Sequence, residues 1–92
     1  MVPPAAAPAV WSVYLLRCGD GTLYCGIARD VGARLEAHRA GKGAKYTRGR
    51  GPLALVYAEA CGDRAGALRR ERAIKALDRA AKLRLCGPPA SG

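Results

Sequence analysis

Apolar and polar positions set the rhythm of this chain most clearly between Trp11 and Ala28. That stretch reads Trp-Ser-Val-Tyr-Leu-Leu-Arg-Cys, then Gly-Asp-Gly, then Thr-Leu-Tyr-Cys-Gly-Ile-Ala. Two runs of aliphatic, β-branched and aromatic residues flank a glycine-rich turn, which predicts a β-hairpin. Burial chooses its register. A two-residue Asp20-Gly21 turn would set Arg17 beside Tyr24, Leu15 beside Gly26 and Val13 beside Ala28, leaving neither face cleanly apolar. A three-residue Gly19-Asp20-Gly21 loop, with Gly21 in the left-handed conformation open to glycine, groups Val13 and Leu15 with Leu23, Cys25 and Ile27. Tyr14, Leu16, Tyr24 and Gly26 then share the other face. A one-residue slip would exchange the faces, so the second register is expected. It brings both tyrosines to one side and sets Gly26 opposite Tyr14, leaving space beside the ring.

Beyond the hairpin the period changes. Asp30 is a good N-cap for a helix over Val31–Ala40, and Gly41 marks its end. Val31, Leu35 and His38 form its inner stripe. Arg34 lies one turn before His38, so the two side chains project together. Gly41 to Pro52 is a loop with four cations, one tyrosine and five glycines or prolines in twelve positions. A third strand is expected over Leu53–Cys61, and Asp63 caps a helix over Arg64–Leu77. Leu68 and Ile74 point that helix at the core, with Glu71 and Lys75 along the same side. Asp78 caps a last short helix, Arg79–Cys86. The order β-β-α-β-α-α predicts an α/β (α+β) domain, a small three-stranded antiparallel sheet flanked by helices.

Composition narrows what such a domain does. At 92 residues there is room for one domain, assigned to 10–86. The Pro- and Ala-rich residues 1–9 and the Gly-Pro-Pro-Ala-Ser-Gly segment 87–92 are expected to be disordered tails. No run approaches the ~20 apolar residues needed to cross a bilayer, and the start lacks the pattern of a secretory signal. A soluble, cytoplasmic protein with no membrane partner is expected. Cys18, Cys25, Cys61 and Cys86 fit no paired zinc spacing and read as small hydrophobes rather than a disulfide framework. A formal net charge of +9 points to a polyanionic partner, with nucleic acid foremost.

Taken singly, the polar candidates are unremarkable. Arg34 is a solvated cation, His38 a packing residue, and Glu71 a carboxylate at the margin of an inward face that Arg34 would suit as an ion-pair partner. The 41–52 loop does not match the phosphate-binding loop that ends in Gly-Lys-Ser/Thr. It reads as a mobile basic segment in which Lys42, Lys45, Arg48 and Arg50 meet phosphates and Tyr46 stacks on a base.

Together, these residues resemble the GIY-YIG nuclease domain, and more narrowly its small stand-alone bacterial members. Ser12-Val13-Tyr14 looks like the first signature strand and Tyr24-Cys25-Gly26 like the second. Arg34 falls where the family has its arginine, ten residues after the second tyrosine. His38 matches a histidine that some members carry one turn later, and Glu71, within Leu-Arg-Arg-Glu-Arg-Ala-Ile-Lys, matches the metal-binding glutamate. Gly-Lys-Gly-Ala-Lys-Tyr-Thr-Arg-Gly is similar to the stand-alone subgroup. Ser12 replaces the first glycine, Cys25 replaces an isoleucine, and the chain has no asparagine.

The resemblance implies metal-dependent hydrolysis of a DNA phosphodiester, with RNA a further substrate class and DNA repair a family-level role. It implies catalytic roles for Tyr14, Tyr24, Arg34, His38 and Glu71. Arg34 forks onto phosphate oxygens, and Glu71 holds a single Mg²⁺ or Mn²⁺. Tyr24 is the expected base or water-positioner with Tyr14 as its neighbour, and His38 is the other candidate base. The chain is expected to act as a monomer. The alternative is a nucleic-acid-binding module of the same fold that does not cut; a plain protein-interaction domain is a third reading.

Overall fold

A computed structural model describes residues 10–87 of the chain. The tail assigned to 1–9 and, apart from Gly87, the tail assigned to 87–92 lie outside them. The elements are β1 (Trp11–Arg17), β2 (Leu23–Ala28), α1 (Val31–Arg39), a single 3₁₀ turn (Lys45–Thr47), β3 (Ala54–Gly62), α2 (Arg64–Lys75) and α3 (Arg79–Leu85). The fold is α+β in the expected order, with an antiparallel sheet arranged β2-β1-β3.

The hairpin has the register that burial selects. Tyr14 pairs with Gly26, Leu15 with Cys25 and Leu16 with Tyr24, and Gly21 turns the chain at φ 86°. β1 is the central strand, and Val13 to Leu16 are all buried. A strand covered on both sides reads as a continuous apolar run, as this one does. On one face Val13, Leu15, Cys25 and Ile74 form a core, joined by Ile27, Tyr57, Leu85 and Cys86. On the other, Tyr14, Leu16 and Ala28 pack with Tyr24, Val31 and Leu35 of α1. The pairing of β1 with β3 shifts between Leu15 and Leu16, which oppose Tyr57 and Leu55, so Val56 is the extra residue.

All three helices start on an aspartate whose side chain accepts a backbone amide: Asp30 from Ala33, Asp63 from Gly66 and Asp78 from Ala81. Three expectations are revised. β3 begins at Ala54, because the Leu53 carbonyl receives the Arg39 guanidinium at 3.2 Å. α2 stops at Lys75, where Ala76 caps it. Leu68 is only partly buried; Ala67, whose short side chain lets the helix approach the sheet, is buried completely alongside Ile74. The four cysteines are free thiols, Cys18 and Cys25 buried and the others half-buried.

Candidate active site

The sheet face covered by α1 is the chemically loaded one. Tyr14 is 1% exposed and His38 2%. A buried hydroxyl and imidazole each need a partner, and Tyr14 Oη lies 2.8 Å from His38 Nε2. The other ring nitrogen, Nδ1, is 2.9 Å from Thr47 Oγ1, which itself donates to the Ala44 carbonyl at 2.9 Å. Thr47 has one proton and gives it to that carbonyl, so its oxygen accepts from Nδ1–H in the tautomer that leaves Nε2 bare for the Tyr14 hydroxyl. In the other tautomer Nδ1 is bare and accepts the Ala44 amide at 3.3 Å, and Nε2–H donates to Tyr14 Oη.

Tyr24 closes the cluster. Its ring centroid is 6.3 Å from Tyr14, 5.1 Å from His38 and 5.8 Å from Tyr46. Two glycines make this crowding possible. A Cβ on Gly26 would sit 2.7 Å from Tyr14 Oη, and one on Gly43 would sit 2.2 Å from His38 Nδ1.

Charge surrounds the cluster. Burial pushes the Tyr14 hydroxyl up to about 12, against the pull of Arg34. Burial also raises Tyr24, while Arg34 and Lys75 draw it down and Glu71 pushes it up. His38 is held below the usual histidine range by burial and by the Arg34 charge. Arg34 is exposed on α1, so its field reaches all three rings from the solvent side. Glu71, from α2, has a side chain 17% exposed and pairs with Lys75 one turn on at 3.2 Å, not with Arg34. The ion pair that Arg34 would have suited is instead made within α2, where i,i+4 geometry favours it.

Among the described residues no group of three or more His, Cys, Asp or Glu gathers. Glu71, a mostly buried carboxylate, is the type of ligand a magnesium-type ion takes, since such an ion keeps most of its waters and needs one or two carboxylates.

The basic loop is docked, which differs from the mobile segment expected. Thr47 is buried against His38. Arg50 pairs with Asp20 at 2.6 Å and stacks over Tyr46 at 4.4 Å, and its carbonyl accepts the Gly19 amide. One face of Tyr46 therefore already carries a guanidinium, although the residue is 42% exposed. Lys42, Lys45 and Arg48 remain exposed. A cavity of about 310 Å³ opens behind His38, lined by Thr47, Arg39, Arg48 and Leu53 among others. Thr47 and Gly43 were missed from the sequence, and only the family-like Gly-Lys-Gly-Ala-Lys-Tyr-Thr segment pointed towards them.

Tyr14 and Tyr24 from paired strands, Arg34 and His38 from the first helix and Glu71 from the second are carried on a three-stranded antiparallel sheet. The GIY-YIG catalytic domain model matches residues 10–84, so the chain belongs to the GIY-YIG family, a nuclease superfamily whose members are generally dependent on divalent metal. A UPF0213 protein of Pseudomonas aeruginosa is 53% identical over 81 residues, covering 88% of this chain and 78% of the relative. One from Staphylococcus aureus is 52% identical over 73 residues, covering 79% and 89%. The solution NMR structure of a UPF0213 protein from Bacillus halodurans shares 44% identity and a TM-score of 0.55, covering 86% of this chain and 88% of that one. Among the described residues no helix is long and apolar enough to cross a membrane.

Proposed function

We propose that this protein hydrolyses phosphodiester bonds of DNA with one Mg²⁺ or Mn²⁺, as a single chain, in the service of DNA repair. The observation that carries the reading is the convergence of Tyr14, Tyr24 and His38 under the field of Arg34.

Arg34 holds two non-bridging oxygens of the scissile phosphate in its fork, matching the charge that grows there in the transition state. Tyr24, half-buried, orients the attacking water. Tyr14 takes the water's proton while its own passes to Nε2 of His38, so no phenolate forms. This division uses both shifts. A tyrosine raised to about 12 stays protonated at neutral pH, and a histidine held below its usual range is neutral there, with a lone pair at Nε2 in the Nδ1–H tautomer. It assigns the proton to Tyr14 and His38 rather than to Tyr24. The new P–O bond forms as the bond to the leaving oxygen breaks. Glu71 would hold a hydrated divalent ion, which would supply positive charge to stabilise the leaving oxygen. Lys42, Lys45 and Arg48 are placed to meet flanking phosphates.

The test is a metal-dependent nicking assay on supercoiled, branched and single-stranded DNA. Glu71→Ala and Arg34→Ala are each expected to lower the cleavage rate by about 10²–10³-fold with unchanged circular dichroism. Cleavage by Glu71→Ala at the wild-type rate would overturn the assignment. One observation favours the non-cutting alternative: Glu71 already carries an ammonium partner, Lys75. Tight DNA binding without cleavage at any divalent ion concentration would establish that reading instead.

A further inference from the structure

A second aromatic and cationic cluster lies at the other end of the sheet from the Gly19–Gly21 turn. Trp11 opens β1, Arg29 directly follows β2 and Arg64 opens α2. The hairpin register that pairs Ser12 with Ala28 carries Arg29 alongside Trp11, and the pairing of Trp11 with Gly62 brings the start of α2 to the same ring. The Arg29 guanidinium carbon is 5.8 Å from the indole centroid and that of Arg64 is 5.7 Å. Both arginines are exposed and the indole is half-buried.

An indole attracts a guanidinium but does not neutralise it. Among the described residues the cations in ion pairs are Arg39, Arg50, Arg70 and Lys75, so neither arginine on Trp11 has a carboxylate within that reach. The neighbouring Asp30 and Asp63 direct their carboxylates to the amides of Ala33 and Gly66. Two like charges are thus drawn to one ring without a counterion, and phosphate groups are the anions a nucleic-acid backbone offers them.

We propose that Trp11, Arg29 and Arg64 form a second backbone-contact site that grips DNA phosphates away from the bond being cut. The inference rests on the nuclease reading and extends it to how substrate is held. Trp11 is the only tryptophan in the chain, so its emission reports on this site alone.

The experiment titrates the full chain in EDTA with fluorescein-labelled duplex DNA, following label anisotropy and Trp11 emission excited at the red edge of the absorption band. Trp11 emission is expected to change along the same saturation curve as the anisotropy. Arg29→Gln/Arg64→Gln is expected to weaken binding about tenfold or more and to reduce the slope of log K against log salt by about 2, two phosphate contacts at ~0.9 each. Arg29→Lys/Arg64→Lys, which keeps both charges, is expected to restore most of the slope. Saturating anisotropy with silent Trp11 emission, or an unchanged slope in the glutamine double variant, overturns the second site and leaves the nuclease reading standing. An equal emission change with inorganic phosphate at matched phosphate concentration assigns a lone-anion site and overturns the DNA assignment. Failure to bind DNA at all overturns both.

Discussion

The two faces of β1 are equally dry and do different work. Val13 and Leu15 point into an apolar layer closed by Ile74, Leu85 and Cys86. Tyr14 points the other way and is as deeply buried as Leu15, but it ends on an imidazole. The first layer derives its stability from area removed from water and is indifferent to charge. The second buries polar atoms, so every hydroxyl and ring nitrogen in it must be matched. Successive residues of one strand thus hold the fold together and present its chemistry.

That contrast is broken hardest on the apolar side. Leu15→Ala is expected to lower unfolding free energy by about 2–5 kcal/mol, read by denaturant titration, because the cavity it leaves is walled by strand and helix. Cleavage per folded molecule should hardly change. Equal losses of stability and of specific activity would show that the two layers are not separable.

Tyr14→Phe tests the other side. It keeps the ring and strips His38 Nε2 of its partner, which costs about 1–3 kcal/mol of stability. It should also abolish the proton transfer proposed above. The sign of its pH dependence is distinctive. A tyrosine near 10 when unfolded and at about 12 when folded contributes its full stability below pH 10 and loses it as pH climbs towards 12. The wild-type protein should therefore lose about 3 kcal/mol across that window, and the phenylalanine variant should not show that part of the loss. An identical alkaline profile in both would remove Tyr14 as the cause.

The smallest effect concerns Lys75. Its ammonium must leave Glu71 for a metal to bind there. Lys75→Met should lower the Mn²⁺ concentration for half-saturation several-fold, read by the loss of the free-ion electron paramagnetic resonance signal. An exposed ion pair contributes about 1 kcal/mol or less, which sets that size. An unchanged midpoint would mean that the pair is no barrier to metal.

Much of this contrast was legible before any coordinates. A Gly-Asp-Gly turn between apolar runs, combined with the two-residue period of a strand, was enough to sort Tyr14 and Tyr24 from Val13 and Leu15. The caps at Asp30, Asp63 and Asp78 are local, and they set the helix starts directly. What escaped were polar contacts between residues distant in sequence. Thr47 meets His38, Arg50 meets Asp20, and Glu71 chooses Lys75 over Arg34. Such pairings leave no periodic trace, because a hydroxyl or guanidinium finds its partner only after the sheet has brought the segments together. Leu68 was over-read for a related reason: helical spacing identifies a stripe, but the closest approach to the sheet went to the smaller Ala67.

The docking of the basic loop has a consequence for how the molecule wears. Composition makes 41–52 an inviting target for a trypsin-like protease, with four cleavable cations in a glycine-rich stretch. Thr47 anchors its middle to His38 and Arg50 anchors its far end to the hairpin turn, so the chain must unfasten before it fits a protease cleft. The rate of nicking at Lys45 or Arg48 then becomes a clock for opening of the site itself, slowed by anything that tightens the Thr47–His38 contact and quickened by anything that loosens it.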